Sequence, residues 1–211
     1  MKKLSVEEFI KELGSSSPAP GGGSVAALVV ALSGALTSMV YSLTIGKKIY
    51  EALSYDIKNN INENFKESDL FSEDSLNLME KDKEVFLKLM DCYKLPKNTA
   101  EEISIRKKEI DLKTYDAMMV PLNLLRKSLL FYENIKFSAK YCNINVISDA
   151  GVAAIMLHSG IESAALNVKI NLSYLKDEKL KKEIKNEIEE SLKKSNRQKE
   201  EIITLVNQKI Q

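Results

Sequence analysis

Apolar positions recur at helical spacing along almost the whole chain, whereas alternating strand patterns bounded by hairpin turns are hard to find. The pattern predicts an all-α protein: a single-domain helical bundle over residues 1–211, with long buried helices rich in small residues. Residues 5–13 read as a short opening helix capped by Ser5, and residues 14–20 as a breaker rich in Ser and Pro. A long helix follows from about Gly23, and no charged side chain occurs from Leu13 to Gly46. A further helical pattern runs from Lys47 to about Ile61, and the polar, acidic stretch 62–75 reads as a surface loop. Residues 76–93 are helical again. Thr99 with Glu102 three positions on is a capping box for a helix reaching about Ala139, in which Pro121 predicts a kink near Ala117. Residues 141–146 read as a turn, and Ser148 as the cap of a second small-residue helix from Asp149 to about Leu175. Residues 177–211 carry the ridge Leu180, Ile184, Ile188 and Leu192 on a Lys/Glu surface, which predicts an outer helix with a break near Ser195-Asn196.

The stretch from Val25 to Ile45 has the length of a membrane span, about 20 residues. Its Ser, Thr and Ala content, in a chain that is 29% charged, favours a buried core helix instead. Gly34, Ser38, Ser42 and Gly46 lie four apart beside a row of Ala27, Ala31 and Ala35, which predicts close helix packing and a homodimer. With 31 basic and 30 acidic residues the chain has almost no net charge, which argues against nucleic acid as a partner. Cys92 and Cys142 lack metal-ligand spacing and fit two free thiols in a reducing, cytoplasmic compartment. His158, the single histidine, lies in an apolar helix and reads as a packed residue; one histidine argues against a histidine-based zinc site, and no metal is expected.

Acid–base chemistry therefore falls to carboxylates and lysines. Asp82 lies on an apolar stripe with Leu78, Met79, Val85, Phe86, Leu89 and Met90, where desolvation would raise its pKa toward neutrality; a buried structural acid is the alternative. Asp149 sits in the first turn of a helix, which the macrodipole alone would explain, or points from that helix end into a pocket. Asn167 and Asn171 continue the face of Gly160 and Ala164, as interior amides or as helix-to-helix contacts. The run Pro20, Gly21, Gly22, Gly23 and Ser24 could cradle an anion at a helix start. It is no dinucleotide fingerprint, because Pro18 and Pro20 exclude a preceding central strand. Lys47 and Lys48 could hold a substrate carboxylate or simply close a helix.

Several of these residues fall in ordered motifs: P-A-P-G-G-G-S-V-A-A at 18–27, L-T-I-G-K-K at 43–48, L-P-K-x-T at 95–99, V-P-L at 120–122, S-D-A-G-V-A-A at 148–154 and N-V-x-I-N-L at 167–172. Over about residues 4–175 the chain resembles the cyclodeaminase/cyclohydrolase family of folate enzymes; residues 177–211 lie outside these motifs. The resemblance implies an all-helical homodimer that holds a tetrahydrofolate derivative near the glycine loop, with no metal or nicotinamide cofactor. It implies hydrolysis of 5,10-methenyltetrahydrofolate to 10-formyltetrahydrofolate, or cyclisation of 5-formiminotetrahydrofolate with release of ammonia. A non-catalytic helical binding or self-association module is the rival from another class. The residues the resemblance carries over are Pro20 to Ser24, Lys47, Asn143, Asn167 and Asn171 for substrate, and Asp149 as first choice for the acid–base group, with Asp82 matching more loosely.

Overall fold

The computed structural model describes residues 1–210. Seven α-helices follow in order: α1 (Val6–Leu13), α2 (Gly22–Ser42), α3 (Lys48–Glu51), α4 (Tyr55–Cys92), α5 (Ala100–Tyr141), α6 (Ile147–Tyr174) and α7 (Glu178–Ile210), with a single 3-10 turn, Ile144–Val146, before α6. Ser5 and Thr99 each close a capping box, with Glu8 and Glu102, as their spacing requires.

The centre is built by backbone proximity. Gly160 of α6 packs on Val30 and the Ala26 carbonyl of α2, where any side chain would clash. Ser33 Oγ donates to the Ala153 carbonyl at 2.8 Å. These contacts make α2 and α6 antiparallel: Gly22 lies level with Asn167, and Ser33 with Ala153. On a neighbouring face Gly34 meets Phe71 and Ser72 of α4, while Ser38 bonds Asp69. Of the row expected to face a second copy, Gly34 and Ser38 are thus taken up by α4, while Ser42 and Gly46 are exposed.

The stretch 62–75, expected as a loop, lies inside α4. Its inward face is Ile61, Phe65, Ser68, Ser72, Ser75 and Met79, a helical stripe in which serines replace apolar residues because the facing row on α2 is small. Ser68 and Ser75 return their hydroxyls to carbonyls one turn back, and Ser72 donates to Ala31 O, so burial leaves none of the three unsatisfied. Ser148 is likewise inside α6 rather than its cap; the 3-10 turn, whose own cap is Asn143, runs directly into the helix at Val146.

α7 is unbroken at Ser195, contrary to expectation. Ser195 is fully buried, and its hydroxyl lies 2.8 Å from both Tyr132 OH and His158 Nδ1, pinning α7 to α5 and α6. Lys209 at the end of α7 donates to the carbonyls of Ala139 and Lys140, satisfying the open C-terminus of α5.

α2 and α6 are long and apolar enough to span a membrane, but 61% and 44% of their apolar windows are buried among the other helices. The outer sides of the two helices present exposed apolar side chains, Leu32, Met39 and Leu43 of α2 and Val152, Ile155, Leu166 and Ile170 of α6, with Ser159 and Glu162 among those of α6.

Candidate functional site

α2 begins at Gly21, which offers no side-chain cap, so the first amides of an apolar helix are left without intrahelical partners. Asp82 of α4 arrives there. Ser24 Oγ donates to Asp82 Oδ2 at 2.9 Å, and the Ser24 amide lies on the same side of the carboxylate and favours its charged form. The approach is possible only at glycine: a Cβ on Gly23 would lie 2.6 Å from the carboxyl carbon of Asp82. Burial pushes the Asp82 pKa up, and Ser24 opposes that only in part.

Around this carboxylate a pocket of about 390 Å³ opens between the glycine loop, the outer halves of α4 and α5 and the last turns of α6. Gly21, Gly22 and Gly23 form one wall, Asn167 and Asn171 another, and Phe86, Leu89 and Met90 the apolar floor. Asn167 and Asn171 donate to carbonyls one turn back on α6, which leaves their amide oxygens as acceptors. α5 runs through Pro121 as one continuous helix. Proline has no N–H for the Ala117 carbonyl four residues back, and Asn171 Nδ2 lies 3.4 Å from that oxygen. The V-P-L motif thereby helps to hold a pocket amide.

Of the residues expected at the site, Gly21, Gly22, Gly23, Asp82, Asn167 and Asn171 line this pocket. Ser24 joins through its bond to Asp82, and Pro20 is buried in the same loop without lining the pocket. Lys47, Asn143 and Asp149 lie elsewhere in the same protomer. Asn143 is bonded to Thr44 and Leu43 at the far end of α2, about 30 Å from Ser24 at 1.5 Å per residue. Lys47 is exposed beside it, and Asp149 lies one turn before Ala153, about 20 Å from Asp82 by the same rise. Asp82, ranked second on sequence grounds, is therefore the pocket carboxylate.

Sequence reasoning missed Tyr93, Thr114, Ala117, Ile170 and Tyr174 as lining residues. Tyr174 was within reach, because it continues the Asn167 and Asn171 face. Thr114 carried no signal in the middle of a 42-residue helix. Among the described residues no group of three or more His, Cys, Asp or Glu side chains converges as a metal site would require.

A bundle in which a glycine-rich helix start receives a buried carboxylate from a neighbouring helix, over a pocket lined with amides, defines a class, and the comparisons name it. The formiminotransferase-cyclodeaminase family model matches residues 5–190, and the chain belongs to that family. It is 37% identical over 205 residues to a methenyltetrahydrofolate cyclohydrolase of Methylorubrum extorquens, covering 97% of both chains. It is 33% identical over 194 residues to the formimidoyltransferase-cyclodeaminase of Rattus norvegicus, where it spans about a third of the relative's length (35%). A crystal structure of formiminotetrahydrofolate cyclodeaminase from Thermotoga maritima superposes with a TM-score of 0.78 at 26% identity, covering 99% of this chain and 96% of the other.

Proposed function

We propose that the protein hydrolyses 5,10-methenyltetrahydrofolate to 10-formyltetrahydrofolate, with Asp82 as the proton carrier. The observation that carries this reading is the Asp82 carboxylate, desolvated at the start of α2 yet open to the pocket. The substrate is a cation, so a carboxylate suffices as base without a metal or nucleotide. Asp82 takes a proton from water as the new C–O bond forms at the amidinium carbon. Collapse of the tetrahedral adduct breaks the bond to N5, which receives the proton from Asp82, while the hydroxyl proton leaves to solvent; one proton is released overall. The amide oxygens of Asn167 and Asn171 orient the pteridine edge, and the free amides of the glycine loop face the developing oxygen charge.

Full-length similarity to a free-standing cyclohydrolase favours this over deamination. The second reading, attack of N10 on a formimino carbon with loss of ammonia, draws on the Thermotoga structure. It would use Asp82 as the acid for the leaving nitrogen.

The working form we propose is a cytoplasmic homodimer formed through the apolar α2/α6 face. An isologous two-fold with antiparallel helices, centred near Ala35, sets Ser24 of one protomer level with the end of α2 in the other. Lys47, Asn143 and Asp149 of the partner subunit then approach the glycine-loop pocket. Loss of methenyl absorbance beyond the buffer rate, measured with and without chelator, tests the reaction. Turnover that survives chelation supports the reading. Turnover of the formimino substrate alone would favour deamination, and turnover of neither would favour a binding module.

A further inference from the structure

The residues lining the pocket include Asp82 and no lysine or arginine. A folate carries two carboxylates on its glutamyl end, so a folate pocket needs a cation within reach, and one stands at the lip. Arg106 of α5 donates from Nη2 to the carbonyl of Tyr93 at 3.1 Å, and its guanidinium carbon lies 5.9 Å from the centre of the Tyr93 ring. Tyr93 ends α4 and lines the pocket mouth. Arg106 shares a stripe of α5 with Ile110 and with the pocket residues Thr114 and Ala117, four to eleven positions on, so it extends the pocket wall outward.

Arg106 also differs from the other two arginines in its partners. Arg126 is paired with Glu187 and Arg197 with Glu201, whereas among the described residues no carboxylate lies within ion-pair distance of Arg106. One of its five N–H donors is engaged by Tyr93, and its Nε is shut off from solvent without any partner. Lys176, also near the mouth, is by contrast held by Asp111. With Nε sealed and one Nη2 donor engaged, the three N–H donors left on Nη1 and Nη2 can meet a carboxylate end-on. The rise along α4 from Asp82 to Tyr93 is about 16 Å at 1.5 Å per residue. That span suits an aminobenzoylglutamate extended from a one-carbon centre at Asp82.

We infer that Arg106 anchors the glutamyl carboxylates of the bound folate, an assignment that rests on the folate reading above. The test compares wild type, Arg106→Ala and Arg106→Lys on two substrates: 5,10-methenyltetrahydrofolate and its tail-less counterpart, the methenyltetrahydropteroyl methylamide. For Arg106→Ala the KM for the glutamyl substrate rises about 10- to 100-fold, the range of a lost charged hydrogen bond, while kcat stays within about twofold. The KM for the methylamide does not change, and Arg106→Lys recovers part of the loss. An unchanged KM in Arg106→Ala, or an equal rise with both substrates, would overturn the anchor and leave the folate reading intact. Absence of wild-type turnover and of binding with either compound would instead overturn the folate reading and this inference with it.

Discussion

The two ends of the central helix pair are built from equally distinctive sequence but differ in what one chain makes of them. At the glycine-loop end, α2, α4 and α6 close around Asp82 and leave a pocket. At the other end Asn143 is taken up in a turn against α2, Lys47 is exposed, and Asp149 occupies the first turn of α6 without a hydrogen-bonded partner among the described residues. A motif marks a position under a constraint; it does not say that the constraint lies in the same protomer. The two-fold proposed above, across the exposed apolar side chains of α2 and α6, would exchange the two ends and let both serve one site.

Gly23→Ala breaks the comparison most severely, since the added Cβ collides with the Asp82 carboxyl and must displace it. Turnover should fall by about 10²- to 10⁴-fold, the range for loss of a positioned acid–base group. Gly22→Ala places its Cβ 3.5 Å from Asn167, an ordinary contact, and should stay near wild type. Equal losses in both variants would mean that the loop, not Asp82, is what matters.

Leu32→Arg sharpens the comparison next, by charging the middle of the apolar face at a position already 45% exposed in one protomer. Light scattering should show a monomer with unchanged helical circular dichroism, and activity should fall with the dimer fraction. A fully active monomer would place Lys47, Asn143 and Asp149 outside the site.

Smaller effects concern the titrating groups themselves. Asp82 has a folded pKa raised above 3.8 by burial, so the folded state holds its proton more tightly than the unfolded chain. The stability this contributes is present below pH 3.8 and is lost as pH rises through the folded pKa. At neutral pH Asp82 is a destabilising charge, and Asp82→Asn should raise the thermal midpoint while activity falls. His158, on the α7 side, is shifted the other way: burial lowers its pKa below 6.5. Its neutral form is favoured by the fold, so stability should decline modestly as pH drops below about 6.5 and level off below the folded pKa. His158→Gln should flatten that decline in a pH series of thermal melts.

The helices with apolar stripes were legible in the sequence, as were the Ser5 cap, the Thr99–Glu102 capping box and the glycine-loop start of α2; the reach of Glu8 back to Ser5 came only with the structure. The middle of α4 was not, because Ser68, Ser72 and Ser75 pack inward against small residues and mimic a loop composition. Ser195 misled for a similar reason: a polar residue at a three-helix junction looks like a break until its partners Tyr132 and His158 are seen. Asp82 was legible as an acid on an apolar stripe. Its place in the pocket was not, since that depends on the level at which α4 passes the start of α2, which no local pattern encodes. Asn171 was visible only as a face position, and its link to Pro121 through the Ala117 carbonyl is a tertiary fact.

The role proposed for Asp82 is to carry the proton. Its most direct test is the turnover of methenyltetrahydrofolate by wild type and Asp82→Asn across pH, followed by methenyl absorbance. The wild-type rate should climb with pH through an Asp82 pKa raised above 3.8, and the Asp82→Asn rate should be lower by about 10²- to 10⁴-fold without that limb. An Asp82→Asn enzyme that keeps near-normal turnover and the same pH limb would contradict it.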